Sequence, residues 1–197
     1  MSTKAEQPET EAGGTSEPTA RSRRTRATIE WVVILLIALT VAIVVRAFVI
    51  EAYFIPSVSM EPTLHIGDRV LVNKLGYDLH AIHRGDVVVF KSPPREVASD
   101  PSIKDLIKRV IGLPGDQIQA INGQVYINGK LLKEPYLPPG TETTDLPLQT
   151  VPAGQYFMLG DNRGNSGDSR FIGTIPRNLI VGRAFVRVWP LSRLGLL

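Results

Sequence analysis

Two closely spaced serines are the first candidates for catalytic residues in this sequence. Ser57 and Ser59 stand two positions apart, so in an extended segment both hydroxyls face the same side. One hydroxyl could then attack a carbonyl group while the other donates a hydrogen bond to it. Serine pairs in proline-containing loops are also common turn residues. The pair by itself is therefore weak evidence for a nucleophile.

A lysine in apolar surroundings is the second candidate. Lys108 lies between Leu106 and Ile107 on one side and Val110 and Ile111 on the other. Burial disfavours the charged form of an amine, so such a lysine can be neutral and can accept a proton. The alternative is an ordinary strand lysine whose amine extends into water.

The third candidate is a loop of polar residues and glycine, Gly160–Arg170. Acidic and basic side chains alternate along it, which favours internal ion pairs that would make the loop rigid. The pattern lacks the ligand spacing and the terminal glutamate of a calcium-binding EF-hand loop. We therefore interpret the loop as a structural support for a site rather than as a metal site.

Composition excludes several other kinds of chemistry. The 197 residues include no cysteine, which excludes disulfides, thiolate metal sites and a cysteine nucleophile. The three histidines, His65, His80 and His83, argue against a histidine metal centre, and no cofactor is expected. The net charge is only +3, and the one basic cluster lies in the N-terminal tail, so nucleic acid is not an expected partner.

The N-terminal part of the sequence predicts a tail and a membrane helix. Residues 1–28 are rich in Ser, Thr, Glu, Pro and Gly, which predicts disorder. Residues Ile29–Ile50 follow as an apolar run of 22 positions, about 33 Å long as a helix. That length is enough for the roughly 30 Å apolar core of a bilayer. Trp31 and the pair Tyr53 and Phe54 are aromatic residues typical of membrane interfaces.

A cleaved signal peptide and a buried soluble helix are the alternatives to a permanent anchor. A cleaved peptide has small residues after its apolar core, whereas Arg46, Glu51 and large residues follow the charge-free core Trp31–Val45. The uncharged stretch Trp31–Val45 is short enough for a buried helix. A group of arginines before the run favours the anchor and, by the positive-inside rule, a cytoplasmic tail. These are Arg21, Arg23, Arg24 and Arg26.

The domain organisation that follows has three parts. They are a disordered cytoplasmic tail at 1–28, a transmembrane helix at 29–50 and an extracytoplasmic domain at 51–197. The C-terminal stretch Trp189–Leu197 is apolar, and it either enters the membrane interface or forms a last strand with a frayed end.

From Val70 onward the sequence predicts strands, and hence a mostly β domain. Asn122-Gly123 and Asn128-Gly129 are dipeptides of two-residue hairpin turns, which predicts a meander over Gln117–Leu132. The proline-rich connections Lys91–Pro101 and Lys133–Pro152 are expected to be mobile. The predicted strands are Val70–Val72, Val87–Phe90, Lys104–Ile111, Gln124–Ile127, Tyr156–Leu159 and Ile180–Val188.

Four motifs run through the chain after the apolar run. They are Pro56-Ser57-x-Ser59-Met60-x-Pro62-Thr63, Arg84-Gly85-Asp86-Val87-Val88, Lys108-Arg109-x-x-Gly112-x-Pro114-Gly115-Asp116, and Gly160-Asp161-Asn162-Arg163 with Ser166-x-Asp168-Ser169-Arg170. In order and spacing they resemble the motifs of bacterial type I signal peptidases, membrane-bound Ser/Lys endopeptidases that remove signal peptides. The resemblance covers residues 29–190. Its single span and compact intervening region are similar to the Gram-positive and cyanobacterial branch.

This resemblance implies a role for each matching residue. Ser59 is expected to be the nucleophile and Lys108 the general base, while Ser57 and the main-chain amide of Ser59 form the oxyanion hole. Ser166 is expected to orient the lysine amine by a hydrogen bond. Four charged residues are expected to hold the motifs in register: Asp161, Asp168, Arg109 and Arg170.

The resemblance also implies a substrate site. An extended peptide would lie between the edges Phe54–Ser57 and Asp105–Lys108, with small residues at positions −3 and −1 before the cut. The family can have an aromatic residue two positions before the lysine, where this chain has Leu106. The expected substrate-binding residues are Phe54, Ile55, Pro56, Met60, Leu64, Asp105, Leu106 and Ile107.

The expected partners are the signal peptides of exported preproteins, membrane lipid and the secretion translocase. The expected location is the plasma membrane, and also the thylakoid membrane if the cell is cyanobacterial. From Ile50 to Ser59 the chain reaches at most about 30 Å, so the nucleophile would lie near the outer membrane surface.

Two other functions fit parts of this pattern. One is a specialised Ser/Lys processing peptidase with few substrates, and the other is a non-catalytic β binding module tethered to the membrane. A degenerate module would lack a member of the dyad, and this sequence has both Ser59 and Lys108.

Overall fold

The computed structural model describes residues 20–45, 49–94 and 103–197 and contains two compact units, which meet in sequence after Ile43. Helix α1 (Ala20–Val44) accounts for the described residues of the first unit. It begins nine positions before the predicted start, in a stretch rich in Ala and Arg, which are strong helix formers. The predicted end at Ile50 is wrong, because Ile50 begins a strand.

Residues 29–44 of the predicted membrane span fall on α1, whereas residues 46–48 lie outside the described residues. Within the described ranges, no helix combines the length and the apolar character needed to cross a bilayer. The single transmembrane helix therefore stays a prediction. The first nineteen residues of the predicted tail lie outside the described residues.

An eight-stranded antiparallel sheet, called here the large sheet, forms most of the second unit. Its strands are β1 (Ile50–Phe54), β2 (Arg69–Asn73), β3 (Val87–Lys91), β4 (Asp105–Gly112), β9 (Gln155–Leu159), β10 (Ile175–Pro176), β11 (Ile180–Trp189) and β12 (Gly195–Leu196). They have the order β1-β2-β11-β3-β4-β9-β10, with β12 paired to β11.

The predicted strands of the large sheet are confirmed. β3 is buried along the run from Val87 to Phe90, as expected for a continuous β-branched and aromatic stretch between two neighbouring strands. β1 and β10 were not predicted from the sequence, whereas a last strand was one of two alternatives for the C-terminal stretch. β12 shows that part of the apolar C-terminal stretch is a last strand, while Trp189 and Leu196 are exposed.

A second sheet of four strands, called here the small sheet, lies between β4 and β9 in sequence. Its strands are β5 (Gln117–Ile121), β6 (Gln124–Ile127), β7 (Lys130–Leu131) and β8 (Leu146–Thr150), in the order β7-β6-β5-β8. The predicted meander is confirmed. Asn122 and Asn128 have φ of 52°, and each is followed by a glycine of positive φ, as a two-residue hairpin turn requires.

β8 corrects the prediction that Lys133–Pro152 is only a mobile connection. The strand pairs with β5 at the edge of the small sheet, where Pro147 is tolerated because an edge strand need not donate every hydrogen bond. Of the other predicted connection, residues 95–101 lie outside the described residues.

Three apolar clusters hold the sheets. The first includes Ile55, Met60 and Leu64, which pack on β2, β3 and β11. A second cluster joins the two sheets, since Phe157 of β9 packs with Ile118 of β5. The third lies around β3, β4, β9 and β10. Two short helices complete the unit: α2 (Gly76–Leu79) and α3 (Ser169–Ile172).

Candidate active site

Ser59 lies in a turn that buried residues attach to the large sheet. The Ile55 amide donates to the Asp68 carbonyl oxygen at 2.9 Å, which fixes the start of the segment. Met60 and Leu64 have no exposed surface and pack in the same cluster as Ile55. Ser59 therefore has anchors on both sides, and only 8% of it is exposed.

Lys108 reaches this turn from the middle of β4. Its Nζ donates to Ser59 Oγ at 2.8 Å and to the Ile107 carbonyl oxygen at 2.9 Å. Only 2% of the residue is exposed, and its neighbours Ile107 and Val110 are buried as the sequence predicts. Burial disfavours the ammonium form. An uncharged amine at this distance can take the proton of the hydroxyl.

Ser57 lies beside the same hydroxyl. The two oxygens Ser57 Oγ and Ser59 Oγ are 3.2 Å apart, and Ser57 is exposed. The Ser59 amide makes no hydrogen bond to any residue that the structure describes. A side-chain donor and a main-chain donor are therefore next to the Ser59 hydroxyl, an arrangement that can act as an oxyanion hole.

Asn162 ties the polar loop to the Ser59 turn. Its main-chain amide donates to the Ser59 carbonyl oxygen at 3.1 Å, and its side-chain Nδ2 donates to the Val58 carbonyl oxygen at 3.2 Å. These two bonds fix the carbonyl groups on either side of the Ser59 Cα. Asn162 is part of a motif in the sequence, yet no role was predicted for it.

Arg109, next to Lys108 in β4, connects the same loop to the strand. Its Nε and Nη2 donate to the two carboxylate oxygens of Asp161 at 2.8 and 2.6 Å, and the carboxylate is fully buried. Thr63 Oγ1 also donates to Asp161 at 2.5 Å. Both residues were expected to hold the motifs in register, and Arg109 Nη1 also donates to the Gly85 carbonyl oxygen at 2.8 Å. All four motifs therefore meet around this one ion pair.

Asp168 and Arg170 form an ion pair within the polar loop, as its alternating charges predict. Two guanidinium nitrogens donate to the two oxygens of Asp168, each at 2.8 Å. Asp168 is also the N-cap of α3, and it accepts from the Gly160 amide at 3.0 Å. The two ends of the loop are therefore held together by one buried carboxylate.

Ser166 differs from the prediction. Its Oγ is buried and has no hydrogen-bond partner among the described residues, so the expected bond to the Lys108 amine is not formed here. Ser166 instead packs closely against Gly160, where an added Cβ would collide with Ser166 Oγ and the Ser59 carbonyl oxygen. Glycine at 160 thus permits the close approach of Ser166 to the Ser59 turn. The orienting role stays a prediction.

A small cavity, about 40 Å³, lies beside the Ser59 turn. Most of the predicted substrate-binding residues line it, whereas Met60 and Leu64 are fully buried and do not line this cavity, so their substrate role stays a prediction. Burial, together with the charges of Glu51 and Asp105, raises the pKa of Tyr53 to about 12, so its hydroxyl remains a donor. The lining residues are Tyr53, Phe54, Ile55, Pro56, Val89, Asp105, Leu106 and Ile107.

Two strand edges meet at this cavity. Within the described part of the chain, β1 pairs only with β2, and residues 105–108 of β4 pair only with β3, because β9 begins to pair at Arg109. Unpaired edges of this kind can accept an extended peptide as an added strand.

Several residues of the site were missed in the sequence. Glu134, Tyr136 and Thr143 lie in the connection before β8, and they contact arginines of the third and fourth motifs. No local pattern marks them, because each contact joins residues at least 20 positions apart. Asn162 and Thr63 stand within the fourth and first motifs, so their motif positions are the sequence signal that could have marked them as site residues.

Comparison with known proteins gives concordant matches. A family model described as signal peptidase, peptidase S26, matches residues 28–189. A probable signal peptidase I-2 from Synechocystis sp. is 48% identical, covering 81% of this chain and 72% of the relative. The signal peptidase I of Leptolyngbya laminosa is 45% identical, covering 81% and 78%. The signal peptidase IB of Staphylococcus aureus is 38% identical, covering 83% and 91%. A solved signal peptidase I from Enterococcus faecalis aligns with a TM-score of 0.44 and 32% identity, covering 53% of this chain and 97% of that chain.

Proposed function

This chain belongs to the signal peptidase family, peptidase S26, and we propose that it cleaves with Ser59 as nucleophile and Lys108 as general base. As a signal peptidase it is a serine endopeptidase that processes preproteins carrying signal peptides. The observation that carries the dyad is the 2.8 Å contact between Lys108 Nζ and Ser59 Oγ at a nearly fully buried lysine.

The geometry supports acyl transfer through a Ser/Lys pair. The neutral amine of Lys108 takes the Ser59 proton as Oγ attacks the carbonyl carbon of the scissile bond. The Ser57 hydroxyl and the Ser59 amide donate to the resulting oxyanion. The C–N bond then breaks, and the lysine ammonium gives its proton to the leaving amine of the mature protein. Water, deprotonated by the same amine, hydrolyses the acyl-enzyme and releases the signal peptide.

Substrate binding is proposed at the two unpaired edges described above. The signal peptide would add as a strand between residues 54–57 and 105–108, so that main-chain hydrogen bonds hold it whatever its sequence. The cavity of about 40 Å³ has room for a small side chain rather than a long or aromatic one. This supports a small residue at one of the two positions, −3 or −1, and we propose small residues at both, as the family resemblance implies.

We also propose the membrane topology expected from the sequence. Residues 1–28 would lie in the cytoplasm, 29–50 would cross the membrane, and 51–197 would be extracytoplasmic, where lipid and the secretion translocase are neighbours. The absence of cysteine makes a direct test possible. Intact cells should expose Lys130→Cys but not Thr15→Cys to a membrane-impermeant maleimide. Labelling of Thr15→Cys from outside would overturn the topology.

Cleavage is tested with the full-length protein in detergent and a precursor that carries a signal peptide. N-terminal sequencing of the product should locate one cut after a small residue. Ser59→Ala should abolish the product, whereas Ser192→Ala, an exposed serine outside the site, should leave it unchanged. A fully active Ser59→Ala protein would exclude the proposed nucleophile.

A further inference from the structure

Glu134, in the connection between β7 and β8, is turned into the protein toward the catalytic motifs. Its two carboxylate oxygens accept from Arg163 Nη2 at 2.5 Å and Nη1 at 3.1 Å. The Arg163 side chain is 1% exposed and that of Glu134 is 13% exposed. A guanidinium buried this deeply needs a carboxylate partner, because its charge cannot be lost.

One path from Glu134 leads to Ser59. Besides Glu134, Arg163 binds the Gly160 carbonyl oxygen through Nε at 3.0 Å, which fixes the start of the polar loop. Asn162, the residue before Arg163, holds the carbonyl groups of Val58 and Ser59. The position of the Ser59 turn therefore depends on a loop that Glu134 holds through Arg163.

A second path leads from Glu134 to Lys108. The Tyr136 hydroxyl donates to Glu134 Oε1 at 2.6 Å, and the Arg109 guanidinium lies 3.9 Å from the centroid of the Tyr136 ring. Arg109 is next to Lys108 in β4. Burial, and the negative charge of Glu134, raise the pKa of Tyr136, so its hydroxyl keeps the proton that it donates.

We propose that Glu134 is a positioning residue for peptide cleavage, since its carboxylate joins the Ser59 turn, through Arg163 and Asn162, to the Lys108 strand, through Tyr136 and Arg109. The proposal rests on the Ser/Lys function proposed above. Glu134 touches neither Ser59 nor the substrate edges in this structure, so it acts through these residues. Glu134 thereby controls the distance between the Lys108 amine and the Ser59 hydroxyl.

The main test measures kcat and KM of full-length Glu134→Gln on a signal-bearing precursor. Glutamine keeps the shape but removes the charge that holds Arg163, and a displacement of about 1 Å in a reacting pair can cost up to about a hundredfold in rate. We expect kcat per folded molecule to fall about 10- to 100-fold, with KM within about twofold of wild type. Glu142→Gln, at an exposed glutamate of the same connection, is the matched control and should retain wild-type kcat.

Two further variants separate positioning from stability alone. Tyr136→Phe keeps the ring against Arg109 and removes only the hydroxyl, so it should fold and lose at least about threefold in kcat. Glu134→Gln combined with Asn162→Ala should be less impaired than the product of the two single losses, because both act through one loop. Independent effects, or a lowered Tm with wild-type kcat in the folded fraction, would overturn the proposal.

Ser59→Ala distinguishes failure of this inference from failure of the dyad. If Ser59→Ala is inactive while Glu134→Gln keeps wild-type kcat, the positioning role is wrong and the dyad stands. If Ser59→Ala is active, the dyad is wrong, and the inference is overturned with it.

Discussion

The small and large sheets differ in how far apart in sequence their paired strands lie. In the small sheet, β5 and β6 are neighbours joined by Asn122-Gly123. In the large sheet, β2 pairs with β11, so that Val70 lies opposite Arg187. A local hairpin can form from its own turn, whereas a pairing between distant strands depends on the folding of everything between them.

The two sheets also differ in what they bury. The small sheet turns an apolar face, including Ile118 and Val125, toward the large sheet. The large sheet and its loops bury Lys108, Arg109 and Asp161. Polar groups are costly to bury without partners. Strands that pair over long sequence separations therefore bring the buried polar and charged groups next to their partners. The local hairpins contribute mainly apolar packing. Substitutions at the site in the large sheet should therefore lower catalytic activity, whereas substitutions in the small sheet should mainly lower stability.

The largest effect is expected at Lys108 in the large sheet. Lys108→Arg should abolish turnover, because arginine cannot be deprotonated in a protein, and Lys108→Ala should do so because Ser59 loses its proton acceptor. Lys130→Arg, an exposed lysine of the small sheet, should remain fully active. Precursor cleavage measures the turnover of each variant, and circular dichroism shows whether the variant is folded. Substantial turnover by folded Lys108→Arg would require another base for Ser59.

The same assignment predicts a rise of kcat/KM with pH in the wild-type enzyme. The amine must be neutral to accept the Ser59 proton, so activity should increase as Lys108 loses its own proton. The measurement is the pH profile of kcat/KM for wild type and for Ser166→Ala. A profile that is flat across the range in which the protein stays folded would contradict a lysine base.

Ser57→Ala should give the next largest effect. If the hydroxyl meets the oxyanion mainly in the transition state, its loss should lower kcat about 100- to 1,000-fold and leave KM almost unchanged. Steady-state kinetics on the same precursor provide the measurement, with Ser192→Ala as the control. A kcat within twofold of wild type would remove Ser57 from the oxyanion hole.

In the small sheet, Ile118→Ala should lower stability and leave catalysis almost unchanged. Ile118 has no exposed surface, so its truncation should lower the free energy of unfolding by about 2–5 kcal/mol. The kcat of the folded fraction should stay within about twofold of wild type. Ile121→Ala, at an exposed position on the same strand, should cost much less stability. A large loss of kcat in folded Ile118→Ala would show that the small sheet also shapes the site.

The smallest effect is expected at Asp116, between the two sheets. Burial alone would raise the pKa of this carboxyl, but hydrogen bonds from the Leu113 amide, Asn128 and Arg84 lower it overall. A carboxyl with a lowered folded-state pKa stabilises the protein above its unfolded pKa, about 3.9. That contribution is lost as pH falls through the lower folded value.

Urea unfolding of wild type and Asp116→Asn at several pH values measures this contribution. Wild type should be more stable at pH 7, and the difference should shrink below about pH 4. Asp145→Asn, at an exposed aspartate, should show little difference from wild type at any pH. A difference between wild type and Asp116→Asn that stays constant down to pH 3 would contradict the lowered pKa of Asp116.

The strands were predictable wherever the signal was local. The Asn-Gly turns and the apolar run of β3 specify their elements within a few residues. β1 and β8 were missed, because both are edge strands with mostly exposed side chains and no alternation of buried and exposed positions. Their strand character comes from pairing with β2 and β5 rather than from their own composition.

The types and the order of the reactive groups follow from the amino-acid sequence alone. A chain without cysteine whose motifs carry Ser59, an apolar-flanked Lys108 and a polar loop offers candidates for a serine nucleophile and a lysine base, and the resemblance of these motifs to those of signal peptidases implies the two roles. Those features are properties of residue type and local spacing, which one chain displays directly.

Which of these groups touch depends on tertiary packing. Ser59 and Lys108 are 49 positions apart in sequence, and nothing in that spacing indicates the 2.8 Å contact, which requires β4 to lie in the large sheet beside the Ser59 turn. Sequence spacing likewise does not indicate that Asn162 contacts the Ser59 turn or that Glu134 contacts Arg163. Hydrogen bonds act only over about 3 Å, so distant residues acquire these roles only when packing of the whole domain brings them together.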